Sequence, residues 1–132
     1  MKQDTLDIVV DLETLGTTPG CIVTNIGAVA LIGDRLVEST PAVSGSIYLL
    51  VDAVKSQQVG LTIDAATVLW WLSQSDAARA ELTGDERLSP YAAAIALNEW
   101  IRALCAAHDV DPGGTRIWGN GASFDPPILE GM

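Results

Sequence analysis

The sequence predicts an α/β domain in which a mixed sheet is flanked by helices. Runs rich in valine and isoleucine at about residues 5–13, 22–32 and 46–51 predict three strands that form an antiparallel meander. The middle of the chain carries helical periodicity up to about residue 108. A short strand at 116–118 then follows a helical crossover, so we expect it to join the sheet in parallel.

Turn residues separate the predicted strands. Pro19 and Gly20 occur in the order that is usual for a turn, after the first strand. Gly33 and Asp34 form a second, tight turn after the second strand. No linker or internal repeat divides the 132 residues, so we predict one domain over residues 1–132.

Capping residues mark three predicted helices. Asp64 and Ser75 can each begin a short helix, and Ser89 followed by Pro90 is a strong start signal for a longer one. The first helix is expected to bury one face formed by Val68, Trp71 and Leu72. The long helix is expected to end near His108 and to bury Leu97, Ile101, Leu104 and Cys105.

The composition indicates a folded acidic protein. Hydrophobic residues make up 48% of the chain, and 17 acidic against 7 basic side chains give a formal charge of −10. Proteins that grip long nucleic acids usually present a basic face, which so few cations cannot supply. An acidic protein can still act on nucleic acid where bound metal ions meet the phosphate. This balance favours a short single-stranded end over a long duplex.

The chain shows no sign of a membrane segment or a secretory leader. No apolar run approaches the roughly 20 residues of a membrane helix, and the first residues are polar. Cys21 and Cys105 lie far apart without metal-type spacing, so we expect free thiols. These features together predict a cytoplasmic protein with no membrane partner.

Two acids at the end of the first strand are the strongest indication of chemistry. Asp11 and Glu13 follow the apolar run at 8–10, where burial on both faces would make uncompensated charge costly. They are two residues apart, so their carboxylates share one face of the strand. Such a pair is usually tolerated because it binds a divalent cation. Asp125, just past the strand at 116–118, can add a third oxygen ligand or cap the following helix.

The available ligands favour magnesium or manganese. Three carboxylates are hard oxygen donors, and the chain has no Cys/His cluster for zinc. Two such ions about 4 Å apart can activate water and stabilise the leaving oxygen of a phosphodiester. The predicted cofactor is therefore Mg²⁺ or Mn²⁺.

Three segments in order resemble the DEDD superfamily of 3′–5′ exonucleases. Residues 10–16 resemble its first motif, residues 118–125 its second, and residues 67–72 a Thr-Val-x-Trp-Trp-Leu helix of its RNase T-like branch, which includes phage exonucleases and small bacterial exoribonucleases. The resemblance implies an RNase H-like fold and two-metal hydrolysis of a single-stranded DNA or RNA 3′ end to nucleoside 5′-monophosphates. Relatives in this superfamily are often dimeric, so the resemblance also implies a homodimer.

The resemblance also implies roles for individual residues. The catalytic metal ligands would be Asp11, Glu13 and Asp125. The residues that would contact the terminal nucleotide are Thr14, Leu15, Gly16, Asn120, Phe124 and Trp71. Leu15 would pack against the base, and Phe124 would help to wall the pocket. Because Trp70 and Trp71 are adjacent, they face different ways, and we expect one in the core while the other can flank the cleft.

The third motif of the family, with a His or Tyr general base and a fourth acid, has no counterpart in these residues. His108 precedes the second motif and is expected to be a surface or capping residue. We therefore expect a C-terminally incomplete domain with little activity in isolation. One alternative is a truncated, non-catalytic module that binds metal or a nucleic-acid end. Another is an RNase H-like endonuclease, which would cut a circular substrate internally.

Overall fold

The computed structural model describes residues 5–84 and 86–119, in which a five-stranded mixed sheet packs against helices. Asn120, Phe124 and Asp125 lie outside these residues, so their predicted roles stay predictions. The elements in chain order are β1 Leu6–Thr14, β2 Val23–Ile32, β3 Arg35–Leu36, β4 Ser46–Leu50, α1 Ala53–Gln58, α2 Ala65–Leu72, α3 Asp76–Ala80, α4 Pro90–His108, a 3₁₀ helix Pro112–Gly114 and β5 Thr115–Gly119.

The sheet has the predicted mixture of antiparallel and parallel strands. Its order is β3-β2-β1-β5, and β4 also pairs with β2. The strands β1, β2 and β4 form antiparallel pairs, whereas β5 runs parallel to β1. The short strand β3 was not predicted. It follows the predicted turn at Gly33 and Asp34, whose φ values of 56° and 65° suit a tight hairpin. The predicted α/β class is confirmed, and the arrangement is consistent with an RNase H-like exonuclease fold.

The core lies on one face of the sheet. Strand β1 alternates strictly, and its buried side chains are Leu6, Ile8, Val10 and Leu12. Helix α4 contributes Ala93, Leu97, Trp100, Leu104 and Cys105 to the same apolar cluster. Val9 is 37% exposed on the opposite face. The expectation that the 8–10 run is buried on both faces was therefore wrong: in the described residues one face of β1 stays open, and Asp11 lies on it.

The long helix begins and ends as predicted. The Ser89 hydroxyl accepts a hydrogen bond from the Ala92 N–H at 3.1 Å, and Pro90 occupies the first turn. His108 is the last residue of α4, and Asp109 follows in the left-handed conformation with φ of 52°. Ile101 is partly buried against the core instead of fully buried.

The short helices depart more from prediction. Ser75 caps α3, but the Asp64 side chain makes no backbone cap and accepts a hydrogen bond from the Thr67 hydroxyl instead. In α2 only Trp71 is buried, and Leu72 is 62% exposed, so the predicted buried face was wrong at that position. Helix α1, which Asp52 caps, was not predicted. Throughout residues 5–84 and 86–119, no helix is long and apolar enough to cross a membrane.

Candidate functional site

The two predicted metal ligands share the open face of β1. Asp11 lies opposite Gly27 and Glu13 opposite Asn25 in the antiparallel ladder with β2. Their Cα atoms are two strand residues apart, about 6.8 Å at the usual rise of an antiparallel strand. Asp11 is exposed and Glu13 is half-buried. The pair is thus accessible to a cation from the solvent side of the sheet.

The parallel strand β5 leads the chain toward this pair. Gly119, its last residue, is in register with Val10, so the strand ends one position before Asp11. Asp125 follows six residues later but lies outside the described range. Within the described part of the chain, no three His, Cys, Asp or Glu side chains are grouped so that they could hold a metal. The donor chemistry of Asp11 and Glu13 fits a hard divalent ion, for which they supply part of a ligand set.

Hydrogen bonds hold the backbone of the first motif in place. The ladder shifts register between Glu13 and Thr14, where strand β1 leaves regular pairing. The Thr24 hydroxyl donates to the Glu13 carbonyl at 3.1 Å, and the buried Thr14 hydroxyl donates to the Gly16 carbonyl at 2.7 Å. The Leu15 N–H donates to the Ile22 carbonyl at 2.9 Å. The segment around Glu13 is therefore fixed from both sides.

Gly16 permits a close approach that no other residue allows. A Cβ atom built at position 16 would lie 2.5 Å from the Cβ of Cys21. Cys21 is buried, and this burial raises the pKa of its thiol. Both cysteines are free, as predicted. The glycine of the motif is thus required by packing against Cys21.

Helix α2 contacts the end of β1 through its first residues and through Trp71. The Asp64 N–H donates to the Leu15 carbonyl at 2.8 Å. The indole N–H of Trp71 donates to the Thr14 carbonyl at 2.7 Å, and the ring is only 7% exposed. Trp70 meets Trp71 edge-on, with ring centroids 4.9 Å apart, but is 55% exposed. As expected, one tryptophan is in the core and the other reaches the surface.

A cavity of about 390 Å³ lies between the end of β1 and α2. Its walls include Glu13, Thr14, Gly16, Thr67, Trp70 and Trp71. Four of the predicted site residues therefore line one cavity, whereas Leu15 is half-buried beside it and is not a lining residue. The sequence analysis expected one of Trp70 and Trp71 to flank the cleft and named Trp71 as the substrate contact, whereas Trp70 also lines the cavity. Thr67 was not assigned to the site, although it belongs to the motif at residues 67–72. The cavity is large enough for one nucleotide-sized ligand.

Tyr48 is a further neighbour of the carboxylates that the sequence did not indicate. Its hydroxyl accepts a hydrogen bond from the Asn25 amide at 2.6 Å and donates to the Glu81 carboxylate at 3.0 Å. Partial burial of the hydroxyl raises the pKa of Tyr48, and although the Asn25 bond opposes this, the negative charges of Glu81 and Glu13 add to it. The phenol therefore stays protonated and neutral next to the site.

Comparison with known proteins agrees with the geometry. The exodeoxyribonuclease of Enterobacteria phage T4 is 32% identical over 126 residues, which cover 93% of this chain and 53% of the phage protein. The chain thus spans about half the length of this curated relative. No solved structure matches the chain. The 3′–5′ exoribonuclease Rv2179c-like domain matches residues 6–132, nearly the whole sequence. The resemblance to DEDD-type exonucleases is therefore confirmed, and the chain belongs to the Rv2179c-like 3′–5′ exoribonuclease domain family.

Proposed function

We propose that this chain is the catalytic domain of a metal-dependent 3′–5′ exonuclease that releases nucleoside 5′-monophosphates from a single-stranded end. One observation carries the proposal: the Asp11 and Glu13 pair lies on an open sheet face, and Glu13 also lines a nucleotide-sized cavity. The membership of the exoribonuclease family supports it. Product release from a 3′ end, together with loss of metal binding on removal of Asp11, would establish the activity.

The carboxylates Asp11, Glu13 and Asp125 would hold the cation. Their oxygen chemistry fits Mg²⁺ or Mn²⁺, and in the intact enzyme two such ions would be bound. When bound, these ions supply Lewis-acid activation of water and stabilisation of the leaving oxygen. The contribution of this chain is to keep the ligand backbone rigid: Thr24 and Trp71 donate to the carbonyls of Glu13 and Thr14, respectively.

The cavity beside Glu13 would receive the terminal nucleotide. Thr14 and Gly16 would border its sugar, and Leu15 would pack against its base from the edge of the cavity. Trp70 is better placed than Trp71 to stack on a base, since Trp71 is buried and its N–H is used by Thr14. Asn120 and Phe124 keep their proposed roles as contacts on the side of the second motif.

Three of the seven cationic side chains are engaged within the protein, which favours a short substrate. Arg87 donates to four backbone carbonyls, Arg116 pairs with Asp7, and Arg79 contacts Asp76. These guanidinium groups are engaged within the protein, so they contribute little to phosphate binding along a strand. Stacking and the cation site would therefore hold one terminal nucleotide, of either RNA or DNA.

The decisive experiment measures metal and product together. Mn²⁺ affinity is determined by calorimetry for the wild type and for Asp11→Asn, with Asp34→Asn as the matched control because Asp34 lies in the distant β2–β3 turn. We expect at least about tenfold weaker binding in Asp11→Asn and no change in the control. Unchanged affinity in Asp11→Asn would remove the metal site from the proposal.

The product distinguishes the three candidate functions. Oligonucleotides labelled at the 5′ end and a circular single strand are incubated with the protein carrying this chain and with Mn²⁺. Stepwise shortening with release of 5′-mononucleotides indicates the exonuclease. Cleavage of the circle indicates an endonuclease, whereas metal-dependent binding without any cleavage indicates a non-catalytic module.

A further inference from the structure

A row of three positions crosses the open face of the sheet beside the carboxylates. Asp11 on β1 pairs with Gly27 on β2, and Gly27 pairs with Tyr48 on β4. A Cβ atom at position 27 would lie 3.6 Å from Cδ1 and 3.9 Å from Cε1 of Tyr48. The ring therefore fills the space above the glycine and extends from β4 toward β1. It is the aromatic side chain of β4 on the same face as Asp11.

The hydroxyl of this ring ends in the adjacent row, which contains Glu13 and Asn25. Asn25 is directly opposite Glu13 and is only 1% exposed. Its amide nitrogen donates to Tyr48, while its Oδ1 has no hydrogen-bond partner within the described residues. The Tyr48 hydroxyl thus satisfies the buried amide nitrogen of Asn25. A buried amide that lost this partner would have to reorient or carry an unpaired donor.

The second partner of the hydroxyl, Glu81, belongs to a segment that is anchored independently. The Arg87 guanidinium donates to the backbone carbonyls of Glu81, Thr83, Thr24 and Val51. It therefore joins the segment that follows α3 to β2 and to Val51, the residue after β4. Arg87 therefore holds the backbone of Glu81 in a position from which its exposed carboxylate reaches the Tyr48 hydroxyl.

We infer that Tyr48 is a positioning residue for the carboxylate pair: its hydroxyl links Glu81 to Asn25 and so fixes the side chain that lies opposite Glu13. The inference rests on the proposed metal site. The hydroxyl bonds Asn25 and Glu81, so its effect on the carboxylates passes through the Asn25 side chain beside Glu13. Groups outside the ligand set can change metal affinity although they do not touch the metal. The ring itself provides packing over Gly27, whereas the hydroxyl provides the link between Asn25 and Glu81.

The Tyr48→Phe variant separates the two contributions, because it keeps the ring and removes the hydroxyl. Tyr91→Phe is the matched control, since Tyr91 is 77% exposed on α4 away from the site. Mn²⁺ affinity is measured by calorimetry and thermal unfolding by circular dichroism. We expect Mn²⁺ affinity to fall at least about threefold in Tyr48→Phe and to stay at the wild-type value in Tyr91→Phe.

A double-mutant cycle tests whether the hydroxyl acts through Glu81. Glu81 is exposed, so Glu81→Ala is expected to fold even where Tyr48→Phe is destabilised. Tyr48→Phe and Glu81→Ala are each expected to lower Mn²⁺ affinity. The double variant is expected to bind Mn²⁺ as tightly as the single variant with the larger loss, because both changes break the same link. Glu81→Gln keeps an acceptor oxygen and should recover part of the loss. Additive losses in the double variant would show that Glu81 acts by charge alone and would overturn the inference.

The same measurements distinguish failure of this inference from failure of the proposed function. Wild-type Mn²⁺ affinity in Tyr48→Phe, together with weak binding in Asp11→Asn, would overturn the role of Tyr48 and leave the metal site intact. Wild-type affinity in Asp11→Asn would remove the metal site itself, and the role of Tyr48 with it.

Discussion

The indole N–H of Trp71 donates to the carbonyl oxygen of Thr14 at 2.7 Å, across 57 residues of sequence. This bond joins α2 to the strand end that carries Glu13, and both partners are buried. It gives Trp71 a role in holding the cavity wall, in addition to lining the cavity.

Trp71→Phe should therefore destabilise the fold more than the same change at Trp70. The phenylalanine keeps much of the buried ring but leaves the Thr14 carbonyl unpaired, at a cost of about 1–3 kcal/mol. Urea unfolding is the measurement. Trp70→Phe is the control, because Trp70 is 55% exposed and its indole N–H donates no hydrogen bond to residues 5–84 or 86–119. Equal stability of the two variants would contradict this assignment.

Nucleotide binding should depend on Trp70. In the presence of Mn²⁺, a 5′-mononucleotide is expected to bind Trp70→Leu about tenfold more weakly than the wild type, since stacking contributes about 1–3 kcal/mol per base. Leu69→Ala is the neighbouring control: Leu69 is 65% exposed on the same helix but does not line the cavity. Calorimetric titration gives both affinities. Equal losses in both variants would point to a general effect on α2.

Gly16→Ala should destabilise the protein, and Cys21→Gly should partly relieve it. The added methyl group would meet the Cβ of Cys21 at 2.5 Å, so one of the two backbones must shift, at about 1–3 kcal/mol. The double variant removes the opposing Cβ. We therefore expect it to be more stable than the sum of the two single losses predicts, as measured by denaturant unfolding. Strict additivity would contradict the contact.

Acid should remove a contribution of Asp7 to stability. Hydrogen bonds from Arg116 and Trp118 lower the pKa of this carboxyl below its ordinary 3.8. Its folded pKa is thus depressed, so the contribution is present above about pH 4 and is lost as the pH falls through the folded value. The stability difference between the wild type and Asp7→Asn should shrink from about pH 5 to pH 3. Denaturant unfolding at several pH values measures it, and a constant difference would refute the prediction.

Purified residues 1–132 should release little mononucleotide even with Mn²⁺. The groups proposed for the site would hold a cation and a nucleotide, but none of them is proposed as a general base, and His108 ends α4 instead of lining the cavity. We expect turnover close to that of Asp11→Asn in the same assay. Fast, metal-dependent release that Asp11→Asn abolishes would show that a base is present among these residues.

Periodicity and capping predicted most of the sheet and the long helix. Ser89 with Pro90 marks the start of α4 to the residue, because capping is a local interaction that sequence reports directly. The open face of β1 was missed because the apolar run at 8–10 contains Val9, which looks like a core residue. Exposure of that face depends on what packs against the sheet, and no local pattern encodes it.

The shared face of Asp11 and Glu13 was predictable from the sequence, whereas the contacts that Trp71 and Tyr48 make near them were not. Asp11 and Glu13 stand two apart in one motif, so their common face follows from strand geometry alone. The distinction between Trp70 and Trp71 depends on a bond to Thr14, far away in sequence. Tyr48 reaches the site only through the register between β2 and β4. Such long-range pairings cannot be read from one sequence.

The side-by-side placement of β1 and β5 has a consequence for how the site is made. Asp7 and Arg116 pair across 109 residues, so the first and last described strands are neighbours in the sheet. Closing so long a loop delays folding, since its entropy must be lost before the contacts form. On the ribosome, β1 can pair with β2 early, but it gains its parallel neighbour β5 only after residue 119 has been synthesised. The parallel pairing of β1 with β5 therefore forms later than its antiparallel pairing with β2.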